Sequence, residues 1–334
     1  MIQKVSLTDF RNFKRKSFDF ADGVSVIVGP NASGKSNILE SLFLLSTGKS
    51  FKARIEAEMI RYNADLAKVK GDGLEITITR GDNGWPRKKF LVNGVSKRLI
   101  DFAGNFKIVL FGPWDLDLVT ASPSLRRNFL DTVLSQVDRE YRRSVLSYEK
   151  GLRQRNRLLW QMREDPSHGS GRAGLLFWNQ LLIKSGNYLS EKRREFINFV
   201  NEGGKIRLDY DASAISEGRL EQYREEEVAA ATTLVGPHRD DFVFFDQDRD
   251  LSKYGSRGEQ RMAVLWLKLA ELAFIEAKTE ERPTLLLDDI FSELDHEHRD
   301  IVMKIAEKQQ TIITTADEHF VKKGVKLEKI FLEL

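Results

Sequence analysis

The chain contains no cysteine, few prolines and no long apolar run, and its charges nearly balance. Of its 334 residues none is cysteine and 7 are proline, and 53 basic side chains stand against 50 acidic ones. Without cysteine there are no disulfides, no cysteine-ligated zinc and no thiol catalysis, which is typical of a protein in a reducing compartment. No apolar run approaches the ~18 residues that span a bilayer. The N-terminal residues carry charges at Lys4, Asp9 and Arg11 and do not form a secretory signal. We therefore expect a cytoplasmic protein with no membrane partner.

The remaining composition, with 41% hydrophobic and 31% charged residues, is that of a globular protein long enough for more than one lobe. A net charge of +3 is too small to indicate nucleic-acid binding by itself. Any contact with DNA must come from a local patch.

Hydrophobic periodicity divides the chain into strand-rich ends and a helical middle. Alternating or β-branched runs predict strands at residues 24–28, 74–80, 107–111, 205–210 and 241–245, and Asn93-Gly94 predicts a hairpin within 89–97. Ser122 and Pro123 mark the start of a helix that ends near Gln136. Two longer helices are predicted at residues 138–163 and 175–200, each about 39 Å long at 1.5 Å per residue. They predict an antiparallel helical hairpin inserted into an otherwise α/β protein.

A phosphate-binding loop follows the first predicted buried strand. The run Gly29-Pro30-Asn31-Ala32-Ser33-Gly34-Lys35-Ser36 matches G-x-x-x-x-G-K-[ST] in full, between a strand and an apolar-periodic helix. Glycines let the backbone turn its N–H groups toward phosphate oxygens, and the helix N-terminus adds a positive dipole. Lys35 is expected to reach the β- and γ-phosphates and the Ser36 hydroxyl to bind Mg²⁺. A chance match is the alternative, and the strand–loop–helix context makes it rarer.

The second motif is a pair of aspartates that follows the apolar strand of residues 284–287. We expect Asp288, at the end of that strand, to hold Mg²⁺, and Asp289 to polarise the water that attacks the bound ATP or GTP. The alternative is a strand followed by a solvated acidic turn.

A possible second anion site opens the apolar helix that precedes this strand. Residues 256–260 read Ser-Arg-Gly-Glu-Gln at a helix N-terminus, 30 residues or so before Asp288. Such a site could grip the same nucleotide or one held by a second subunit. A plain helix cap at Ser256 is the alternative.

Basic residues cluster in the predicted helices. Residues 126–163 contain ten basic and four acidic side chains, an excess of six positive charges. Clustered charge of this kind suits the phosphates of duplex DNA, and a solvated helix face is the alternative. The candidate contacts are Arg126, Arg127, Arg142 and Arg153. We expect the aromatic rings of Trp160, Phe177 and Trp178 to pack inside the hairpin, and His238 to have a structural or nucleotide-sensing role rather than a metal.

Together these motifs resemble the ABC/SMC ATPase superfamily and, within it, the RecF family. The resemblance to RecF rests on residues 111–119 with 122–131, on Gly236-Pro237-His238-Arg239-Asp240-Asp241, on residues 288–295 and on residues 9–13, and it covers essentially the whole chain. It implies a fold of the α/β class: an ABC-type P-loop ATPase head of residues 1–112 and 232–334 with an inserted helical lobe of residues 113–231.

The resemblance also implies site residues and partners. The nucleotide would contact Arg11, Asn12, Asn31, Ala32, Ser33, Gly34, Lys35, Ser36 and Asn37. Across a dimer the signature residues would be Ser256, Gly258 and Gln260, and the D-loop residues would be Ser292 and Asp295. The family is a weak, switch-like ATPase that dimerises on ATP, binds gapped duplex DNA and cooperates with RecR or RecO-type mediators to load recombinase onto single strands.

Rival functions are a nuclease-coupled ATPase, a DNA tether and a transporter subunit. A nuclease domain would need more than the roughly 40 residues that follow Asp295, and a tether would need far longer helical arms. A transporter subunit would need a membrane partner, and the basic helical insertion favours DNA instead.

Overall fold

In the computed structural model, which describes residues 1–81, 85–165, 171–316 and 327–332, the chain folds into two units. The first comprises Met1–Asp117 and Glu271–Leu334, and the second comprises Leu118–Ala270. Residues 232–270, which the predicted partition gave to the head, pack in the second unit because β-strand 241–246 pairs with strand 207–211 there. As a division into functional lobes, the predicted partition stays a prediction.

The strands, in chain order, are β1 (Lys4–Phe10), β2 (Phe13–Asp19), β3 (Val24–Val28), β4 (Leu66–Gly71), β5 (Leu74–Thr79), β6 (Arg87–Val92), β7 (Val95–Lys97), β8 (Ile108–Phe111), β9 (Arg207–Asp211), β10 (Asp241–Asp246), β11 (Arg249–Asp250), β12 (Thr284–Asp288), β13 (Thr311–Thr315) and β14 (Leu327–Phe331). The helices are α1 (Lys35–Thr47), α2 (Leu99–Phe102), α3 (Pro123–Val137), α4 (Arg139–Glu164), α5 (Gly171–Glu202), α6 (Glu217–Gln222), α7 (Arg224–Ala230), α8 (Leu251–Tyr254), α9 (Arg257–Thr279) and α10 (His296–Ala306). Among the described residues, none of these helices has both the length and the apolar character to cross a membrane.

A parallel sheet in the first unit positions the site. Its strand order is β14-β3-β13-β12-β8. Every residue of β3, β8, β12 and β13 is buried, which explains their nearly continuous apolar sequences. The carboxyl ends of these strands meet at one edge of the sheet, so the loops after β3 and β12 come together there. The predicted strands at 24–28 and 107–111 are confirmed.

The other sheet of this unit is antiparallel, in the order β2-β1-β4-β5-β6-β7. The hairpin predicted at Asn93-Gly94 is confirmed: both residues have positive φ, 50° and 78°, as a two-residue hairpin turn requires. Side chains of β5, α1 and β3, such as Ile76, Leu42 and Ile27, meet in one apolar core.

The second unit is built on the antiparallel pair of α4 and α5. Arg155 Nε donates to Asn179 Oδ1 at 2.7 Å, and Leu158 packs against Gly174, which sets the register of the hairpin. A small sheet, β11-β10-β9, accompanies the helices. The predicted helical hairpin is confirmed. The loop predicted between its helices lies largely outside the described residues.

Candidate nucleotide-binding site

The loop between β3 and α1 is curled by two residues with positive φ. Ala32 has φ of 68° and Gly34 has φ of 103°, a region that L side chains rarely adopt. A Cβ atom at Gly34 would lie 2.7 Å from Asn12 Nδ2, so a side chain is excluded by space as well. Asn12 Nδ2 also donates to the Ser33 carbonyl at 3.2 Å. Asn12, in the turn between β1 and β2, therefore packs against the loop and stabilises its conformation.

Lys35 is held against the same loop. Its ammonium donates to the carbonyl oxygens of Gly29 at 2.6 Å and Pro30 at 3.0 Å, and the residue is only 7% exposed. Among the described residues no carboxylate forms an ion pair with this ammonium, so its charge is available to an anion. In the part of the chain that the structure describes, the buried Ser33 hydroxyl has no hydrogen-bond partner. Both features fit a phosphate group as the ligand.

The two motifs are joined by a direct hydrogen bond. Ser36 Oγ donates to Asp288 Oδ1 at 2.9 Å, although 252 positions separate the two residues. Thr314 of β13 donates its hydroxyl to the same oxygen at 2.6 Å. Sequence reasoning missed Thr314, because nothing in the run Thr-Ile-Ile-Thr-Thr marks one threonine as a partner of Asp288.

The donor set around Asp288 suits Mg²⁺ bound together with a nucleotide. Magnesium in such sites takes one or two carboxylates, phosphate oxygens and several waters, rather than a cage built by the protein alone. Ser36 and Asp288 supply one hydroxyl and one carboxylate. Among the described residues, no group of three or more His, Asp or Glu side chains could hold a metal elsewhere.

Asp289 follows with a backbone that asparagine and aspartate tolerate best, at φ 51° and ψ 23°. Its N–H donates to the hydroxyl and to the carbonyl oxygen of Thr314, at 3.1 and 3.2 Å. Burial raises the pKa of the Asp289 carboxyl, with Lys35 opposing the rise and Asp288 adding to it. A carboxylate of raised pKa is a better proton acceptor than an ordinary surface aspartate.

Arg11 and Asn37, two of the predicted nucleotide contacts, make hydrogen bonds to other protein groups. The Arg11 guanidinium donates to both carboxylate oxygens of Glu40, at 2.7 and 2.6 Å, and to the Glu58 carbonyl at 2.9 Å. Glu40 is fully buried in α1. Both the donor and the acceptor of these hydrogen bonds are charged groups, which strengthens them. Asn37 donates to Asn12 Oδ1 at 2.9 Å. Asn31 and Ala32 lie exposed at the tip of the loop.

The signature segment begins α9 with a reciprocal cap. Ser256 N–H donates to Glu259 Oε2 at 2.7 Å, and Glu259 N–H donates to Ser256 Oγ at 3.3 Å. The hydrogen bond from Arg249 is the largest cause that lowers the pKa of Glu259, to about 2, followed by those from Ser256. Gln260 Nε2 donates to the Leu251 carbonyl at 2.9 Å. The helix cap is thus present, and the anion site at this helix start stays a prediction.

Ser292 and Asp295, the predicted D-loop residues, make local hydrogen bonds after Asp289. Ser292 Oγ donates to the Asp289 carbonyl at 2.8 Å. Asp295 caps α10 by accepting from the His298 N–H at 3.0 Å, and this bond lowers the pKa of the Asp295 carboxyl.

Comparison with known proteins decides the family. The family model described as RecF/RecN/SMC N terminal domain matches residues 1–333. A protein of Lachnospira eligens named DNA replication and repair protein RecF is 34% identical, over 99% of this chain and 97% of its own length. The chain belongs to the RecF family.

Two solved structures of RecF have the same fold. They are described as the recombination mediator protein RecF-ATPrS and RecF-ATP in the RecFOR pathway, and each is 30% identical with a TM-score of 0.88. The first comparison covers 100% of this chain and 97% of that chain, the second 99% and 95%. The predicted fold class, an ABC-type P-loop ATPase head with an inserted helical hairpin, is confirmed.

The RecF-like segment around His238 is held by hydrogen bonds within the second unit, and the choice between a structural and a nucleotide-sensing role stays a prediction. His238 Nδ1 accepts from the Tyr148 hydroxyl at 2.8 Å, and its Nε2–H donates to the Thr233 carbonyl at 2.9 Å. Burial lowers the pKa of His238 to about 4, so the ring is neutral at physiological pH. Asp240 is fully buried and accepts from Arg193 Nη1 at 2.9 Å.

The candidate DNA residues of this RecF-family chain differ in where they lie. Arg126 is 7% exposed, and its guanidinium donates to both carboxylate oxygens of Asp241, at 2.6 and 2.9 Å, and to the Leu118 and Ala121 carbonyls. DNA cannot reach this side chain, so the role predicted for Arg126 is corrected to an internal ion pair. The correction has a physical cause: a buried guanidinium must spend its hydrogen bonds within the fold.

Arg127 and Arg142 are half-buried, donating to the Asp240 and Ser135 carbonyls. The Arg153 side chain is 70% exposed, with a loose pairing to Glu149 at 4.0 Å. Of the four predicted contacts, it is the one fully presented on the surface.

Proposed function

We propose that this chain is an ATP-dependent DNA-binding protein of recombinational gap repair. It binds ATP with Mg²⁺, dimerises on binding, holds duplex DNA at gaps or junctions and helps to load recombinase onto single-stranded DNA. The observation that carries the proposal is the Ser36–Asp288 hydrogen bond, which brings a phosphate loop and a carboxylate 252 positions away into one site. Membership of the RecF family and the RecF-ATP relative support it. The proposed location of the protein is the cytoplasm, where the bacterial chromosome lies.

The residues of the site have separate tasks in hydrolysis. The loop N–H groups, Ser33 and Lys35 bind and orient the phosphates, because they place donors and one positive charge on the same loop. Ser36 and Asp288 would hold Mg²⁺, which neutralises phosphate charge when bound. Asp289 accepts a hydrogen bond or proton from the attacking water. Hydrolysis is proposed to be slow, so that ATP acts as a switch.

A second copy of the chain would complete the site. Gly258 lies exposed near the start of α9, and a Cβ atom there would meet nothing closer than Ser256 Oγ at 4.0 Å. The fold of one chain therefore does not require glycine at this position. A close approach by the phosphates of a partner's nucleotide would require it, since the N–H groups at a helix N-terminus bind anions best without a side chain between. Ser256 and Gln260 would flank that contact, and Ser292 and Asp295 would face the partner.

Duplex DNA would be bound through its backbone. The exposed arginines of α4 and its one lysine, Lys150, offer phosphate contacts, and the sequence contains no base-reading motif. Mediators of the RecR or RecO type are the proposed protein partners, because the RecF relatives are described as part of the RecFOR pathway.

The proposal is tested by sedimentation of two variants with ATP. Asp289→Asn should still bind ATP and Mg²⁺, because Ser36 and Asp288 remain, and should stop turnover. It should therefore accumulate as an ATP-bound dimer with a longer residence on DNA. Ser256→Arg in addition should return the protein to monomers with ATP still bound. An Asp289→Asn protein that stays monomeric when saturated with ATP would refute the dimer switch and leave the nucleotide site standing.

A further inference from the structure

The exposed surface of α4 carries a regular basic stripe. Its outward positions recur at alternating steps of four and three residues, so they lie along one face of the helix. The stripe consists of Arg139, Arg143, Lys150, Arg153 and Arg157, and the one apolar position of the repeat is Leu146. Over the 18 residue steps from Arg139 to Arg157 the helix rises about 27 Å. Glu140 and Glu149 form only loose exposed ion pairs with it, at 3.7 and 4.0 Å.

The next position of the same repeat is Trp160. Its side chain was predicted to pack within the hairpin, yet Trp160 is 50% exposed and Phe177 is 60% exposed. This corrects the sequence prediction for these two rings, whose neighbours in sequence Leu159 and Leu175 are buried in their place; Trp178 is half-buried. Phe177 is fixed by Trp178, whose ring meets it edge to face at 4.8 Å.

Trp160 and Phe177 lie at the same end of the hairpin. The contacts of Arg155 with Asn179 and of Leu158 with Gly174 put Phe177 level with residues 155–157, about one helical turn from Trp160 along the hairpin. We call these two exposed rings the aromatic tip. Trp160 continues the repeat of the basic stripe by one step, and Phe177 is exposed on the neighbouring helix.

We propose that the aromatic tip stacks on unpaired bases of DNA whose backbone follows the basic stripe. Exposed large rings gain from burial, and each base offers a flat apolar face to stack on. An apolar protein surface would have to desolvate Arg153 and Arg157 to reach Trp160, whereas a nucleic acid supplies phosphates for the arginines and bases for the ring. The chain would thus recognise the place where a duplex opens into a single strand. This inference rests on the proposed DNA function.

Binding to two DNA probes tests the aromatic tip. The full-length protein with ATP is titrated with a blunt duplex and with the same duplex extended by single-stranded thymidines. Trp160→Ala and Phe177→Ala should each weaken binding to the extended probe by about 5-fold to 150-fold, the range for one lost base stack, and leave the blunt duplex unaffected. Trp160→Phe, which keeps a ring, should restore most of the affinity. Trp85→Ala removes a tryptophan that is 80% exposed in the other unit and serves as the matched control.

The outcomes separate the two proposals. If the unaltered protein binds neither probe, the proposed DNA function fails. If it binds both and Trp160→Ala binds the extended probe as tightly as Trp85→Ala does, the aromatic tip is not a base platform. A Trp160→Ala protein that changes its sedimentation but not its DNA affinity would identify the tip as a contact between copies and would overturn the inference equally.

Discussion

Replacing Thr314 by valine should weaken the use of Mg²⁺ while preserving the shape of the site. Valine matches threonine in volume, and Thr314 is fully buried, so the change removes a hydroxyl and little else. That hydroxyl donates to Asp288 Oδ1 at 2.6 Å, the shortest contact this carboxylate makes. The Asp289 N–H keeps the Thr314 carbonyl at 3.2 Å, so the main chain at the turn should hold.

The size of the effect follows from the kind of bond that is lost. A hydrogen bond to an ionised acceptor contributes about 1.5–3 kcal/mol, which corresponds to about 10-fold to 150-fold in an equilibrium constant. Partners that orient a metal ligand, when removed, weaken metal binding or activity by about 10-fold to 100-fold. The two ranges overlap. We expect the Mg²⁺ concentration for half-maximal ATP turnover to rise by one to two orders of magnitude.

The measurement is a Mg²⁺ titration of ATP turnover and of ATP binding. Thr314→Ser keeps the hydroxyl and should behave as the unaltered protein does. Thr311→Val, on the same strand, removes a buried hydroxyl that donates only to the Ala306 and Gln309 carbonyls, at 3.0 and 3.3 Å, and should leave the Mg²⁺ dependence alone. If Thr314→Val titrates like the unaltered protein, or if Thr311→Val shifts the titration as much, Thr314 does not position the metal ligand.

Three further substitutions in the second unit test whether buried charged or titratable groups affect stability and whether an exposed one affects DNA binding. Because the folded pKa of His238 is about 4, below the ordinary 6.5, the folded protein binds fewer protons and loses stability as pH falls from 6.5 toward 4. Urea unfolding should show a loss of roughly 2 kcal/mol between pH 7 and pH 5 that His238→Gln removes; an equal slope in both proteins would contradict this. Arg126→Gln, which leaves Asp241 without its partner, should cost about 3–5 kcal/mol, and a stable variant would show that the ion pair is dispensable. Arg153→Gln should stay within about 0.5 kcal/mol in stability but lower the salt dependence of DNA binding by about one unit; an unchanged salt slope would remove Arg153 from the interface.

Features with a local cause could be predicted from the sequence. The strand, loop and helix around Lys35 and the hairpin at Asn93-Gly94 each depend on residues within a few positions of one another. The residue types at those positions allow the backbone angles that each feature requires: Gly34, for example, has φ of 103°, which glycine adopts readily. The two long helices were also predictable, because α4 and α5 repeat their apolar positions over many turns.

Charge counting failed where the partner is distant in sequence. Arg155 and Arg126 belong to the same basic cluster as Arg153, yet they pair with Glu227 and Asp241, 72 and 115 positions away. Nothing near either arginine indicates that its charge is already neutralised. Helical spacing would have separated Arg153 from Arg155 by face, and that signal was present in the sequence. The pairing of Arg11 with Glu40 is of the same kind.

Strand order explains why the distance between the two motifs of the nucleotide site could not be predicted from the motifs themselves. β13 lies between β3 and β12, so the phosphate loop and the acidic motif follow strands two spacings, or about 10 Å, apart. Thr314 pairs with Ile27 on one side and with Asp288 on the other, which puts its hydroxyl between the two loops. A slip of β13 by one residue would turn that side chain to the opposite face of the sheet. Each motif therefore supplies the chemical groups, and the register of a strand that belongs to neither motif sets the distance between them.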